Sequence, residues 1–476
     1  MSKAAARGTD SELVAGIDSS TQSVKVVIRN ASTGELLREG RAAHPDGTEV
    51  DPEHWWIALN DAIARAGGLD DVGAVSIAGQ QHGMVALDRD GNVIRPALLW
   101  NDTRSSQEAA DLNDEVGGNQ AMAQATGSVL VASFTASKVR WMADHEPENA
   151  RKVAALCLPH DWLSWKLNEK KELSALFTDR SDASGTGYFN PVDSTYNRDL
   201  LALALRNSRE IITPTIVSPH SIAGYMKGGT ILAAGAGDNA AAALGVGAEV
   251  GDVVISLGTS GTAFAVSDSP THDPLGEVAG FADATGRFLP LVCTLNAARI
   301  VDSAASLLGV DHQRIAELAL SATPGADGLT LLPYFEGERT PNRPNAHGTL
   351  DGLSLRNATR ENIARAMLEG MMCGLADAVQ SLVKHGVAVR RILLIGGAAK
   401  NPAVVEIASA ILGREILLPP VREYVADGAA LQAAWVLLGK KPEWDLGSLK
   451  QIQATPTPEV LERYRNLRDR TESWGK

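Results

Sequence analysis

Two stretches of the chain share one pattern of apolar and polar positions. Residues 13–18 (LVAGID) form a short apolar run ending in an acid. The hydroxyl turn Ser19-Ser20-Thr21 follows, and β-branched residues resume over 24–28. Residues 253–257 are likewise apolar, followed by Gly258-Thr259-Ser260-Gly261 and a second apolar run over 263–266. Short β-branched runs bounded by such turns predict strands. Each stretch therefore predicts strand, turn, strand, and the pair raises a diverged duplication as an expectation.

Around these hairpins helical and strand patterns alternate. Asp51 suits an N-cap and Pro52 a first helical position, and Trp55, Leu59 and Ile63 recur at helical spacing. Residues 72–78 and 84–87 predict strands, with Asp90-Gly91 as a turn. Ile363, Met367, Met371, Leu375 and Val379 step by four along one helix face, and 391–395 predicts a strand running into Gly396-Gly397. Helices mixed with strands of both kinds predict α/β layers. Acidic and hydroxyl-bearing turns then fall at strand ends, where such folds place ligands.

Length and charge narrow the function classes. The chain has 476 residues, which suggests two or three domains. Its 44 Lys+Arg against 57 Asp+Glu leave a net charge of −13, a poor match to nucleic acid or anionic lipid. Cys157, Cys293 and Cys373 lie far apart, so neither a disulfide scaffold nor a zinc cluster is expected. The apolar-looking stretch 230–246 has Asp238 and Asn239 in its middle and is no membrane span. The opening MSKAAARGTD has no apolar core for a signal peptide, and the final SWGK has no lipidation signal, so a cytoplasmic protein is expected.

The turns offer candidate chemistry. Asp18-Ser19-Ser20-Thr21 combines backbone N–H groups, hydroxyls and a carboxylate that could hold a hydrated Mg²⁺. The bland alternative is an Asx or ST turn satisfying its own backbone. Gly258-Thr259-Ser260-Gly261 offers the same parts without the acid, and together they suggest a two-sided phosphate clamp. Gly79-Gln80-Gln81-His82-Gly83 could supply several hydrogen bonds to a polyhydroxy ligand, although a lone turn His is more often a surface His. Trp100-Asn101-Asp102-Thr103-Arg104 adds an aromatic face, an amide, an acid and a guanidinium suited to a sugar. Gly235-Ala236-Gly237-Asp238-Asn239-Ala240 fits the dinucleotide string G-x-G-x-x-A, with Asp252 as a ribose acid. That reading sets Asp238 where a pyrophosphate must sit, and a carboxylate there repels it. The other reading makes Asp238 a general base on a glycine-permitted turn. No GxxxxGK[ST] is present, so any use of ATP is without a P-loop.

GIDSSTQSVK, GQQHG, WNDTR, TDRSDASGT, GAGDNAAAALG, SLGTSG and IGGAAKN occur in the order seen in the FGGY carbohydrate kinases. The segments 133–142 and 352–369 resemble the two signatures of that family, and the resemblance runs from about Leu13 to Leu438. It implies two actin/hexokinase-like α/β domains with ribonuclease-H-like cores, at 11–247 and 248–476, and an interdomain cleft that closes to expel water. ATP and Mg²⁺ are the implied cofactors and a sugar the implied partner, with neither nucleic acid nor membrane, and a homodimer is the candidate assembly.

Residue by residue, the resemblance makes Asp238 the catalytic base and Asp18 the Mg²⁺-ATP carboxylate, with Asp238 a second candidate for the metal. Gln81, His82, Trp100, Asn101, Asp102, Asp238 and Asn239 resemble the sugar site. Ser20, Thr21, Gly258, Thr259 and Ser260 resemble phosphate contacts, and Gly396, Gly397, Ala398 and Asn401 an adenosine pocket. The GQxHG turn points to a ketopentose phosphorylated on its terminal hydroxyl, with Gln81 where many members of that branch carry Met. Other ketoses or polyols are the first alternative. An NAD-dependent oxidoreductase rests on the GAGDNA string alone. A sugar-sensing repressor would need a DNA-binding head that the few residues before Leu13 do not supply.

Overall fold

The computed structural model describes residues 12–474. Residues 1–11 and 475–476, where the two expected domains begin and end, lie outside the described residues.

The chain forms two compact units. The first takes the residues up to Gly247 together with Asp268–Leu289 and Arg422–Asp445; the second takes Ala248–Ser267, Pro290–Val421 and Leu446 onward. The expected single cut after residue 247 thus becomes an interleaved partition, in which two later segments return to the first unit.

In the first unit β1 (Leu13–Ser19) and β2 (Ser23–Asn30) form the predicted hairpin, and β3 (Leu36–Ala43) pairs antiparallel on β2. On the other side of β1 lies β4 (Ala74–Gly79), in parallel. Two short strands, β5 (Ile231–Leu232) and β6 (Ala236–Gly237), follow parallel to β4. The alternation of a strand sorts the two faces of this sheet. Ala15 and Ile17 join Val75, Ile77, Trp55, Leu59 and Trp162 in one core cluster. Trp55 and Leu59 come from α1 (Pro52–Arg65), capped by Asp51 as expected, and Trp162 from α2 (Pro159–Leu167). Three further helices complete the frame of the site: α3 (Arg180–Ala183), α4 (Asp238–Gly245) and α5 (Tyr424–Leu438).

Helix α5 explains why a late segment belongs to the first unit. It is Ala-rich, and its middle, residues 426–434, is buried without a break, so it needs neighbours on more than one side. It lies on the Gly16 face of β1, where a Cβ at Gly16 would stand 2.0 Å from the Ala426 carbonyl oxygen. Its own Gly428 meets α4 at backbone distance, with an added Cβ 1.9 Å from the Ala241 oxygen. Ser76 on β4 donates to Gln432 Oε1 at 2.6 Å, fixing the helix's rotation.

The second unit repeats the topology. β7 (Asp252–Leu257) and β8 (Gly261–Ala265) form the second predicted hairpin, and β9 (Phe288–Thr294) pairs antiparallel on β8. β10 (Arg391–Ile395) lies parallel to β7, followed by β11 (Ile416–Leu418) and β12 (Lys450–Ile452). Arg360–Lys384 is the helix read from the four-residue apolar steps, with Met367, Met371 and Leu375 buried. Among the described residues no helix is long and apolar enough to cross a membrane, and the three cysteines are buried outside any disulfide.

Gly428→Ala tests the α5 contact. It should cost about 1–3 kcal/mol by overpacking, read as a lower denaturation midpoint. Gly397→Ala, where a Cβ meets nothing within 4 Å, should leave the midpoint unchanged.

Candidate active site

Register brings the predicted residues of the first unit to one edge. Asp18 on β1, Ala78 on β4 and Ala236 on β6 lie in one row of the sheet, and Ser19, Gly79 and Gly237 in the next. Asp18 and Asp238 therefore stand two strand spacings apart, on the order of 10 Å. Between them β4 delivers Gln80, Gln81 and His82, all buried.

Each side chain has a definite anchor. Asp18 accepts from Ser20 Oγ and from Lys25 Nζ at 3.4 Å, and Lys25 reaches Glu423 Oε2 at 2.6 Å. Trp100 Nε1 donates to Thr21 Oγ1 at 2.8 Å, and Thr21 Oγ1 lies 3.4 Å from Gln80 Oε1. Gln81 Nε2 donates to the Ser181 carbonyl at 3.0 Å. His82 has φ 72°, a left-handed conformation uncommon outside glycine, and its Nδ1 lies 2.6 Å from the Gly185 carbonyl. That contact puts the ring proton on Nδ1, because a carbonyl only accepts. The imidazole packs against both Phe134 and Phe281, with centroids at 4.9 and 5.7 Å. Asn239 bonds back to Asp238 Oδ1 through its backbone N at 2.7 Å and its Nδ2 at 2.8 Å.

Electrostatics separate the acids. Burial pushes the Asp18 carboxyl up, and Lys25 and Ser20 offset only part of it. Burial also raises Asp238, to about 7, against the opposing Asn239 bonds and with the charge of Asp18 adding to the rise. Burial opposes ionisation of Asp102 too, yet the bonds from Arg104 and Thr48 outweigh it and hold that carboxyl below its usual value. Both Asp102 oxygens are engaged, Oδ1 by Arg104 and Oδ2 by Thr48, so the structure makes it a strut of its loop. The neighbouring Asn101 is exposed.

The second unit gathers the other predicted group. Ser256 on β7 pairs with Ile395 on β10, which sets the Gly258-Thr259-Ser260 turn beside Gly396-Gly397-Ala398. Gly396 has φ +98°, and a Cβ there would stand 2.5 Å from the Leu257 oxygen, so the two loops touch through backbone. Gly258, Thr259, Gly396 and Gly397 are exposed, and open space flanks Gly397. Asn401 gives its side-chain oxygen to the cap of the helix Pro402–Leu412, accepting from Ala403 and Val404 N–H.

The donor set suits a hydrated hard cation and phosphates. Asp18 is a buried carboxylate whose charge is incompletely offset, and Gln80 Nε2, a donor just past the end of the neighbouring strand, finds no hydrogen-bond partner among the described residues.

Lys25 was missed by the sequence reading, although a three-residue turn in that hairpin sets it opposite Asp18 in register. Also missed was a buried group behind the strand ends, His160 with Asp161 and Asp182. His160 Nδ1 lies 2.5 Å from Asp182 Oδ2, a distance with a proton and no room for an ion between the two. Burial disfavours charge on His160, but the two aspartates more than offset it and the ring stays protonated at neutral pH.

Known proteins are similar to this chain over nearly its whole length. The model of the FGGY family of carbohydrate kinases, N-terminal domain, matches residues 13–245, and the C-terminal domain model matches 253–437. The xylulose kinase of Streptomyces coelicolor is 44% identical over 442 residues, 90% of this chain and 89% of that protein. That of Streptomyces rubiginosus is 41% identical, over 96% of this chain and 95% of its own. Among solved structures, a xylulose kinase from Bifidobacterium adolescentis matches with TM-score 0.88 at 48% identity, covering 96% of this chain and 99% of that one. A Plasmodium falciparum glycerol kinase with ADP shares the fold, with TM-score 0.83 at 18% identity over 98% of each chain.

The charge on Asp238 is open to titration. Its carboxylate should gain a proton as the pH falls through about 7, so any step in which it accepts a proton slows on the acid side. Asn239→Ala removes a bond that favours the charged form and should move the acid limb of the kcat profile upward. A limb that stays put would show that Asn239 does not tune the carboxylate.

Proposed function

This chain belongs to the FGGY family of carbohydrate kinases, and from that premise we propose that it transfers the γ-phosphoryl group of ATP to the terminal hydroxyl of D-xylulose. The observation that carries the reading is Asp238: a carboxylate at the sheet edge, poised near neutral pH, beside the Gln81–His82 turn. The ketopentose comes from the likeness to xylulose kinases that cover nearly the whole chain. Since ATP is made in the cytoplasm, we place the activity there.

Phosphoryl transfer passes through a loose transition state, so catalysis is mainly alignment and charge stabilisation. Asp238 accepts the proton of the terminal hydroxyl as that oxygen bonds to the γ-phosphorus, and the bond to the ADP oxygen breaks in line. A sugar hydroxyl is a very weak acid, so the base acts late and mostly orients. A base near neutrality matches that task better than an ordinary carboxylate. Asp18 would hold Mg²⁺, which supplies neutralising charge to the phosphates when bound. Lys25 adds a fixed positive charge beside Asp18. Backbone N–H groups of the Thr259 turn serve the phosphates, and the Gly396–Gly397 backbone admits a flat purine.

His82, with its proton on Nδ1, presents Nε2 as the acceptor toward a sugar hydroxyl. A misplaced hydroxyl would leave such a buried group unpaired, at about 1–3 kcal/mol. D-xylulose should therefore exceed ribulose and glycerol by roughly tenfold or more in kcat/KM. An ADP-release assay over pentuloses, hexuloses and polyols checks the ranking, and a better substrate than xylulose would overturn the specificity while leaving the kinase.

Asp238→Asn should lower kcat by about 10²-fold or more and leave sugar binding by calorimetry within a few-fold. Near-normal turnover would remove Asp238 as the base.

Gly397→Val should raise the KM for ATP and leave that for sugar alone, because the valine fills the open space beside Gly397. A change confined to the sugar would place the nucleotide elsewhere.

A further inference from the structure

The motif TDRSDASGT, residues 178–186, has no role in the reaction described so far, yet the site is fastened to it. Its Ser181, on α3 and fully buried, makes two bonds to different parts of the site. Its carbonyl accepts from Gln81 Nε2 at 3.0 Å, and its Oγ accepts from the Gly237 N–H, also at 3.0 Å. Gln81 belongs to the candidate sugar turn, and Gly237 immediately precedes the candidate base. A Cβ on Gly237 would stand 2.8 Å from Gln81 Nε2, so these two parts already touch and Ser181 closes the triangle.

The platform beneath Ser181 is rigid. Asp179 caps α3, accepting from Ser181 N at 2.8 Å and Asp182 N at 2.9 Å. Asp182 holds His160, and His160 fills the space that glycines at 79 and 235 leave open: a Cβ at Gly235 would stand 2.4 Å from its Nε2. The same segment accepts from His82 at the Gly185 carbonyl. Thr186 Oγ1, further along the segment, donates to the Ala183 carbonyl at 2.7 Å and bonds to neither Ser181, Gln81 nor Gly237.

We propose that Ser181 is a positioning residue that sets the Gln81 turn and the Asp238 turn at a fixed separation, and so aligns the sugar hydroxyl with its base. The proposal rests on the kinase reading above. Effective alignment is sensitive to shifts of an ångström or less. Ser181→Ala removes the acceptor of the Gly237 N–H, and Thr186→Val removes a comparable buried hydroxyl that holds only the platform.

Both variants are compared with wild type in steady-state kinetics with D-xylulose and ATP and in thermal unfolding. Ser181→Ala should lower kcat about tenfold and leave the KM for ATP within about twofold. Thr186→Val should lower the unfolding temperature by a similar amount and keep kcat within about twofold. Wild-type kinetics in Ser181→Ala, equal kcat losses in the two variants, or a matching rise in the KM for ATP would each overturn the proposal. Should the alanine chain not fold, Ser181→Cys, which keeps the volume and weakens the acceptor, takes its place under the same criteria. A wild type that releases no ADP with any sugar overturns the kinase reading itself, whereas an active wild type matched by Ser181→Ala overturns only the role of Ser181.

Discussion

Parallel register across β1, β4 and β6 is the constraint on which the first unit's site depends. Because Ser19, Gly79 and Gly237 share one row, three strands end together, and the chain must turn away at the same level three times. Each turn carries chemistry: a carboxylate with hydroxyls, a Gln–His pair, and a carboxylate that opens a helix. A slip of one residue in β1 would turn Asp18 to the opposite face, into the cluster of Ile17, Trp55 and Leu59. Register is held in turn by α5, since Gly16 of β1 lets the strand meet the helix backbone at Ala426 and Ala430. Packing far from the reacting atoms thereby fixes which way Asp18 points.

That arrangement concentrates charge in a dry place. Asp18 and Asp238 both lie where burial disfavours ionisation, and the charge of Asp18 raises Asp238 further, while that of Glu423 raises Asp18. The unit treats the two differently. Asp18 is given Lys25 as a counter-charge, while Asp238 receives only the bonds of Asn239. One acid therefore keeps its charge better than the other, and a pair of environments that pushes two carboxylates apart is how acid–base roles are divided. Behind them His160 and Asp182 form a buried pair of opposite charge. Such pairs add little net stability, but removing one partner leaves an uncompensated charge, so they fix a geometry firmly.

Much of this was legible in the sequence where the signal is local. The β1–β2 and β7–β8 hairpins, the capped start of α1 at Asp51, and the four-residue steps of Arg360–Lys384 are set by neighbours within a few residues. The acids and turns that crowd the site were legible for the same reason, since strand ends carry them. What the sequence did not disclose depends on contacts between distant residues. Nothing local says that 422–445 returns to the first unit, because an Ala-rich helix shows only that it must be covered, not by what. Asp102 looks like a sugar ligand in WNDTR, and only the fold brings Thr48 to its second oxygen. Ser181 and His160 were invisible because their partners lie 56 to 100 residues and 22 to 74 residues away.

The two units show how one topology carries two electrostatic tasks. In each, a hairpin's first strand lies parallel to a later strand, and the loops at their shared end touch. In the first unit the hairpin ends in Asp18, with Lys25 opposite it. In the second, the equivalent end is Leu257-Gly258-Thr259-Ser260, with no acid in the turn. A carboxylate there would repel phosphate, whereas backbone N–H groups and hydroxyls attract it. The strand order gives both tips the same converging backbone. What then distinguishes the two tips electrostatically is a single ionisable side chain at the strand's end, Asp18.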